Sequence, residues 1–327
     1  MAANGNNDLK IFAGRNSRAL TERICQHLNL KMGVAKTQMF PDGEILVKLE
    51  EDVRGRDCFV VLSTAAPVNE NMMELLIFID CLRRASADRV TVVLPYFGYG
   101  RQDRKDEGRV PITAKLVANL ITSAGANRVM AIDLHAAQIQ GFFDIPFDHL
   151  SASPVLYDHF AKHRASMGDL CLVSPDVGNV KVAESFRNLL DADLAIIYKR
   201  RLSGERVAMG ELIGDVKGKT VLMVDDMIST AGTVVEASKL VMERGARDVI
   251  AACTHAVLVP PAFERINASP ISKVVLTDTI PLGERLNPIR SKVVELSVDE
   301  LLGKAIHRIH HNQSISALFE KTAGTKR

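Results

Sequence analysis

The feature that most constrains the fold is a repeated alternation between short apolar, β-branched runs and longer stretches of helical periodicity. Several of the apolar runs are continuous and do not alternate with polar residues, which is typical of strands covered on both faces. The predicted strands are Leu9–Phe12, Phe59–Leu62, Val90–Leu94, Val129–Asp133, Leu170–Val173, Leu194–Ile197, Val221–Val224, Val249–Cys253 and Val274–Leu276. The helical patterns are Asn69–Ala87, Ile112–Ala124, Val180–Leu190 and Thr233–Arg244. This alternation predicts an α/β protein whose open, mainly parallel sheets are flanked by helices.

Composition excludes several classes of protein. Hydrophobic residues make up 47% of the chain and charged residues 24%, which argues against disorder. A formal net charge of only +2 gives no global field for nucleic acid, so we expect any phosphate binding to be local. No apolar run approaches the roughly 18 residues of a membrane helix, and the start, MAANGNNDLK, has no secretory signal. The five cysteines are scattered and form no CxxC pair, so we expect a cytoplasmic protein without disulfides or zinc.

Length and an internal similarity predict two related halves. The chain has 327 residues, which suggests about two domains. The segment Gly125–His135 aligns without a gap with Gly245–His255, and each copy ends a predicted helix and enters a strand that finishes at a histidine. We therefore predict two α/β domains, residues 8–150 and 151–312, followed by a C-terminal segment and tail, residues 313–327.

The segment after the predicted strand Val221–Val224 is the strongest chemical signal. The strand is followed by two acids, Asp225 and Asp226, and then by a small, hydroxyl-rich turn that opens a helix. Ligands of open α/β sheets bind beyond the carboxyl ends of strands, where the N–H groups of a helix N-terminus suit an anion. The turn therefore predicts a phosphomonoester site, with the acids accepting hydrogen bonds from sugar hydroxyls. The plainer alternative is that the acids and the hydroxyl side chains only cap the helix.

Two glycine patterns are interpreted as structural. Gly214 and Gly218, before Lys219-Thr220, are separated by three residues and precede a strand, whereas a Walker A loop has four and follows one. We expect a turn there. Gly98-Tyr99-Gly100 lacks the third glycine of a dinucleotide fingerprint, so no Rossmann cofactor site is predicted.

Five segments in order identify a resemblance that covers about Leu9 to Phe319. Besides Lys219–Thr233, they are Phe40–Glu44, Pro95–Arg104, Asp133–Ala136 and Lys199–Arg201. The chain resembles class I ribose-phosphate pyrophosphokinases, enzymes with the type I phosphoribosyltransferase fold. The resemblance implies two phosphoribosyltransferase-like domains, the first on the ATP side and the second on the ribose 5-phosphate side. It implies Mg²⁺-dependent transfer of the β,γ-pyrophosphoryl group of ATP to the C1 hydroxyl of ribose 5-phosphate, giving phosphoribosyl diphosphate and AMP for nucleotide biosynthesis.

The resemblance also implies roles for individual residues. It implies ATP binding by Phe40, Asp42, Gly43, Glu44, Arg101, Gln102 and Asp103, the first four reaching the nucleotide from a neighbouring subunit. It implies ribose 5-phosphate binding by Asp225, Asp226, Ser229, Thr230, Ala231, Gly232 and Thr233, and metal binding by His135 and Asp176. Lys199 and Arg201 are implied as catalytic residues of a flexible loop. From the residues alone, the 95–104 loop could be packed by its own aromatics, His135 could be structural, and the basic loop could be a solvated face.

Assembly and regulation are implied by the resemblance as well. It implies a homohexamer, and it places Arg54, Ser314 and Ser316 at positions where phosphate activates and ADP inhibits. Three positions depart from the common pattern: Ser229 replaces an acid, Ala231 a glycine, and Asp52 a serine beside the regulatory anion site. His255 receives no role. Two alternative functions stay open: a phosphoribosyltransferase that consumes the diphosphate, and a catalytically silent regulatory subunit of the same fold.

Overall fold

The structure of the protein is a computed structural model that describes residues 9–198 and 210–318. Its strands are β1 Leu9–Ala13, β2 Ala35–Met39, β3 Ile45–Leu49, β4 Asp57–Val61, β5 Arg89–Leu94, β6 Arg128–Ile132, β7 Phe147–Leu150, β8 Leu170–Ser174, β9 Asp193–Tyr198, β10 Glu211–Ile213, β11 Thr220–Ile228, β12 Asp248–Ala256, β13 Lys273–Thr277 and β14 Val293–Leu296. Its α-helices are α1 Arg18–His27, α2 Val68–Arg84, α3 Thr113–Ala124, α4 Ser153–His163, α5 Val180–Leu190, α6 Gly232–Glu243, α7 Pro261–Asn267 and α8 Asp299–His310.

The predicted strands and helices are all confirmed, and the continuously apolar strands are buried as expected. Every residue of β4 is buried, because a parallel strand inside an α/β sheet is covered on both faces. The segment from Gly214 to Lys219 is a turn between β10 and β11, so the expectation that it is no Walker A loop is confirmed. None of the helices in the two described ranges is both long and apolar enough to cross a membrane.

The chain groups into two units. The first contains residues 9–151, 279–281 and 297–318, and the second contains the described residues from 152 to 278 together with 282–296. Helix α8 therefore belongs to the first unit, whereas the predicted domain boundaries placed residues up to 312 with the second half.

The first unit contains a five-stranded parallel sheet in the order β1-β4-β5-β6-β7 and a separate antiparallel hairpin, β2-β3. Helix α2 packs against this hairpin and against β4 and β5. Phe12 of β1 and Phe78 of α2 are fully buried, with ring centroids 5.8 Å apart. These contacts make one core between the sheet and α2.

The second unit contains a seven-stranded sheet in the order β10-β9-β8-β11-β12-β13-β14. All of its neighbouring strands are parallel except β10, which pairs antiparallel with β9. Its core contains Phe160 of α4 and Phe186 of α5 beside Leu172 of β8 and Leu222 of β11. The predicted α/β fold with mainly parallel sheets is confirmed in both units.

The two halves repeat the same order of elements, but not in the register that the sequence similarity predicts. From β1 to β7 the chain forms strand, helix, three strands, helix, strand, helix, strand, 3-10 helix and strand, and it does the same from β8 to β14. In this order β12 corresponds to β5, and β6 corresponds to β13. The alignment of Gly125–His135 with Gly245–His255 pairs β6 with β12, so it is wrong. Both glycines end helices with positive φ, +113° and +86°, and such junctions resemble one another locally.

The last helix of each half packs in the other unit. Helix α4 follows β7 but packs against α5, and α8 follows β14 but packs against α1. In the first unit Arg23 of α1 donates to the hydroxyl of Ser297, just before α8, at 3.3 Å. A buried polar contact forms around Asp57. Its carboxylate accepts hydrogen bonds from Arg89 and lies 2.7 Å from Nδ1 of His310. The final helix is therefore an integral part of the first unit.

Candidate active site

Strand β11 is longer than the sequence predicts, and it includes the two acids. The strand runs to Ile228 rather than Val224, so Asp225 and Asp226 lie within it and not in a turn after it. Its pairing explains the difference, because β12 remains beside β11 as far as Ile228, whereas pairing with β8 stops at Leu222. The same extension buries His255 inside β12, opposite Met227, so the prediction that this strand finishes at a histidine is wrong.

The turn from Ser229 to Ala231 leads into α6 without a side-chain cap. Ala231 is the residue before the helix, and it has a left-handed backbone with φ +59° and no side-chain capping hydrogen bond. The first turn of α6 contains no acidic residue. Neither observation supports the plainer alternative, in which the acids or hydroxyls cap α6. The N–H groups of a first helical turn have no helical acceptor, so those of α6 remain donors at the positive end of the helix dipole.

Four consecutive carbonyl groups of this segment accept hydrogen bonds, three from groups elsewhere in the second unit and the last from α6 itself. The donors are Leu258 N to Ile228 O at 3.0 Å, Val259 N to Ser229 O at 3.1 Å, Arg265 to Thr230 O at 2.9 Å and Val235 N to Ala231 O at 3.1 Å. Carbonyl oxygens repel anions, and here each of the four already accepts a hydrogen bond. The other polar groups of the turn, from Ser229 through Thr233, are N–H and hydroxyl donors of the kind that bind a phosphate, and the phosphate site stays a prediction.

Three carboxylates gather at the carboxyl edge of the second unit's sheet. Burial, followed by the negative charge of Asp226 and, to a smaller extent, that of Asp176, raises the pKa of Asp225 to about 7. Asp176 follows the end of β8, the strand next to β11. The structure thus brings Asp176 close to the two acids of the predicted ribose site. Carboxylates held together in a partly buried place create a negative potential that favours a cation or hydroxyl donors.

Asn179 spans the opening between these strands, and sequence analysis missed it. Its side-chain amide donates to the carbonyl of Val224 at 2.6 Å, and its backbone N–H donates to Oδ1 of Asp176 at 3.1 Å. Because the ladder between β8 and β11 ends at Leu222, this asparagine replaces ladder hydrogen bonds and fixes the separation of the acids. No local pattern reveals it, since the contact joins residues far apart in the chain.

The side chains of this edge limit how a magnesium ion could be held. Within residues 9–198 and 210–318, no group of three or more His, Cys, Asp or Glu side chains could hold a metal ion. Carboxylate oxygens such as those of Asp176, Asp225 and Asp226 are the hard ligands that Mg²⁺ prefers, and the ion usually keeps waters and takes substrate phosphates as further ligands. A magnesium ion at this edge would therefore take most of its ligands from water and from a phosphorylated substrate, and few from protein side chains.

His135, the other predicted metal residue, lies in the first unit on an exposed loop after β6. The loop is attached to β7, since the N–H of Leu134 donates to Nε2 of His149 at 2.9 Å. Burial lowers the pKa of His149, which keeps that ring neutral so that Nε2 can accept. The loop beside His135 is thus anchored while the imidazole itself faces solvent.

The 95–104 loop of the first unit follows β5 and lines an open cleft of about 530 Å³. The cleft is lined by Val68, Asn69, Tyr96, Tyr99, Arg101 and Gln102. Phe97 is buried and packs edge-on against Phe143. The alternative in which the aromatics of the loop pack inside the protein therefore holds for Phe97, whereas Tyr96 and Tyr99 line the cleft. The size of the cleft and its aromatic, guanidinium and amide groups suit a nucleobase.

Hydrogen bonds fix the polar residues of this loop. The carbonyl of Gln102 accepts from Ala114 N at 3.1 Å, and its side-chain oxygen accepts from Thr113 at 2.5 Å. Asp103 accepts from Gln138 at 2.7 Å, and Gln138 lies in the 3-10 helix that follows the His135 loop. The predicted nucleotide residues and the His135 loop are therefore connected within the first unit.

The predicted turn at Phe40–Glu44 is confirmed as the tip of the β2-β3 hairpin. Phe40 N donates to Glu44 O at 2.8 Å and Gly43 N to Phe40 O at 2.9 Å, with φ of +92° at Gly43. All five residues are exposed, and Phe40 exposes 40% of its surface. Asp42 accepts from Glu44 N at 3.2 Å. The tip is a closed turn that presents an aromatic ring and two carboxylates to solvent.

The remaining predicted residues are placed as follows. The N–H of Arg54 donates to Asp52 at 3.1 Å, and its guanidinium donates to Ser86 at 3.2 Å. Ser314 and Ser316 are exposed after α8, and the carbonyl of Ser314 accepts from Arg308 at 2.9 Å. Lys199 and Arg201 lie outside the described residues.

Comparisons with known proteins cover nearly the whole chain. Residues 9–125 match the family described as the N-terminal domain of ribose phosphate pyrophosphokinase, and residues 202–320 match the phosphoribosyl synthetase-associated domain. A ribose-phosphate pyrophosphokinase of Rhodopirellula baltica is 56% identical over 316 residues, covering 96% of this chain and 99% of that protein. One from Fusobacterium nucleatum is 50% identical over 313 residues, covering 96% and 98%. A crystal structure of phosphoribosylpyrophosphate synthetase from Mycobacterium smegmatis is similar with a TM-score of 0.86 and 42% identity, covering 93% of this chain and 99% of that one.

Proposed function

The chain belongs to the ribose-phosphate pyrophosphokinase family, and from that premise we propose that it makes 5-phosphoribosyl 1-diphosphate and AMP from ribose 5-phosphate and ATP. The observation that carries the proposal is the turn after β11, whose carbonyls are all occupied and which begins α6 beside the half-buried acids. A sugar phosphate needs both parts, N–H donors for its phosphate and carboxylate acceptors for its hydroxyls.

The second unit binds ribose 5-phosphate in this proposal. The N–H and hydroxyl groups from Ser229 to Thr233 hold the 5-phosphate, and Asp225 and Asp226 accept hydrogen bonds from the ribose hydroxyls. Since burial raises the pKa of Asp225 to about 7, this carboxyl exchanges a proton near neutral pH, and hydroxyl donors or a cation favour its charged form.

ATP binds to residues of the first unit in this proposal. Tyr96, Tyr99 and Arg101 present planar groups to the adenine, and Gln102 and Asp103 read its polar edge. The hairpin tip, with its exposed Phe40, Asp42 and Glu44, supplies the second nucleotide surface from a neighbouring subunit of a homohexamer. Phosphate and ADP act as effectors through Arg54, Ser314 and Ser316.

The reaction is an in-line displacement at the β-phosphorus of ATP by the C1 hydroxyl of the ribose, with AMP as the leaving group. Such transfers depend on positioning and charge stabilisation, so no protein nucleophile is required. Mg²⁺ would be held mainly by substrate phosphates, with His135 as a ligand on the ATP side and Asp176 as a ligand on the ribose 5-phosphate side, and it would neutralise charge on the transferred group. Lys199 and Arg201 stabilise the charge on the phosphate oxygens in the transition state.

The test is a single assay with purified protein, ATP, Mg²⁺ and ribose 5-phosphate, in which AMP formation is measured. AMP that forms without any added nucleobase, and only when ribose 5-phosphate is present, supports the proposal and excludes a phosphoribosyltransferase. Absence of AMP formation by the purified protein would refute the proposal and favour a catalytically silent subunit.

A further inference from the structure

Arg265 of α7 lies beside the phosphate turn, and neither the family resemblance nor the proposed function assigns it a role. Its guanidinium donates to the carbonyl of Thr230 at 2.9 Å. The same nitrogen lies 3.6 Å from the position that a Cβ on Gly232 would occupy. The charge of Arg265 is therefore held at the first residue of α6.

A cation is electrostatically unfavourable at that end of a helix. The N-terminus of α6 carries the positive end of the helix dipole, which attracts anions and repels cations. The first turn of α6 contains no acidic residue, and no carboxylate among the described residues lies within 4.0 Å of Arg265. The positive charge has therefore no protein counter-ion in this part of the chain, and an anion at the turn would supply one.

The hydrogen bond also controls the direction of one peptide group. The carbonyl of Thr230 and the N–H of Ala231 belong to the same peptide plane, so they point in opposite directions. Ala231 has φ +59°, a left-handed conformation that costs a non-glycine residue about 1 kcal/mol. By holding the carbonyl of Thr230 on the α7 side, Arg265 turns the N–H of Ala231 the other way and stabilises a backbone that alanine disfavours.

We propose that Arg265 is a positioning residue of the 5-phosphate site: it fixes the Thr230–Ala231 peptide with its N–H toward the phosphate and adds a positive charge behind it. This inference rests on the proposed function, because the anion it serves is the 5-phosphate of ribose 5-phosphate.

The test compares Arg265→Met, which removes the donor and the charge, with Arg265→Lys, which keeps both. Arg290→Met is the matched control, because Arg290 is an exposed arginine of the same unit that lies 3.7 Å from Glu295. Binding of ribose 5-phosphate and of unphosphorylated ribose is measured by calorimetry, together with the KM and kcat of AMP formation and the melting temperature of the free protein.

Arg265→Met should weaken ribose 5-phosphate binding on the order of tenfold, the loss typical of one charge-assisted hydrogen bond, while leaving ribose binding unchanged. Its KM for ribose 5-phosphate should rise more than its kcat falls. Its free form should melt close to the wild type, because the lost hydrogen bond to Thr230 and the removal of the unfavourable cation act in opposite directions. Arg265→Lys should recover most of the affinity, and Arg290→Met should match the wild type.

Wild-type affinity for ribose 5-phosphate in Arg265→Met would overturn the inference. An equal loss for ribose and ribose 5-phosphate, or a lowered melting temperature, would also overturn it, because either result indicates a general structural role. A wild-type protein that binds no ribose 5-phosphate would overturn the proposed function itself.

Discussion

Replacing Asp225 with asparagine should make the free protein more stable, and increasingly so as the pH rises. Oδ1 of Asp225 accepts the N–H of Asp226 at 2.9 Å, and the amide oxygen of asparagine can accept the same bond. The substitution therefore removes the charge and little else. Burial and the neighbouring carboxylates raise the pKa of Asp225 from its ordinary 3.8 to about 7.

The sign follows from proton binding in the two states. The folded protein holds the proton of Asp225 up to about pH 7, whereas the unfolded chain loses it near pH 4, so this carboxyl lowers the free energy of unfolding as the pH rises between those values. At 1.36 kcal/mol per pKa unit, the penalty amounts to about 2 kcal/mol at pH 5 and about 4 kcal/mol at pH 8. Asp225→Asn relieves it.

Urea denaturation of the wild type and Asp225→Asn at pH 5 and pH 8 measures this difference. The variant should be more stable at both pH values, with the larger gain at pH 8, while its AMP formation falls. Asp169→Asn, which removes an exposed carboxylate of the same unit, is the matched control and should show no such trend. A gain that is equal at the two pH values, or a variant that is less stable at pH 8, would refute the reasoning.

Three further substitutions test other parts of the molecule. Lys199→Ala should lower kcat of AMP formation by on the order of 10²–10³ while affecting ribose 5-phosphate binding much less; near-normal turnover would contradict its catalytic role. Gly98→Ala should raise the KM for ATP, because a Cβ there would lie 2.3 Å from the carbonyl of Thr64 and displace the nucleotide loop; an unchanged KM would be inconsistent with that loop binding ATP. Asp57→Ala should destabilise the protein by about 3–5 kcal/mol in urea denaturation, because Arg89 loses its buried partner; a loss below about 1 kcal/mol, typical of exposed ion pairs, would contradict the buried contact.

Most of the strands that the sequence predicted are buried on both faces, and those it missed are exposed or short. In β2 and β3 only Val47 is buried, and residues 35–49 contain a single short apolar run, Ile45–Val47. Strands β7 and β14 occupy sheet edges and contain four residues each. The signal of α8 was present, since Leu301, Leu302, Ala305, Ile306 and Ile309 are buried at helical spacing after an acidic first turn. That helix could therefore have been predicted.

The candidate site likewise contains residues that a local sequence pattern reveals and residues that only the structure reveals. A local pattern revealed the turn from Ser229 to Thr233 because strand, acids, turn and helix are consecutive in the chain. No local pattern could reveal Asn179 or Arg265. Asn179 contacts a backbone carbonyl 45 residues away in the chain, and Arg265 contacts one 35 residues away. The extension of β11 past Val224 was missed because its pairing with β12, rather than its own composition, keeps it a strand.

Because α4 packs in the second unit and α8 in the first, each half of the chain needs the other half to complete its fold. A fragment cut after Ser151 lacks α8, so the face of α1 that buries Leu20 and Ile24 would be open to solvent. The complementary fragment would carry α8 as an amphipathic helix with no surface to cover. The two halves should therefore be recovered in folded form only when they are produced together.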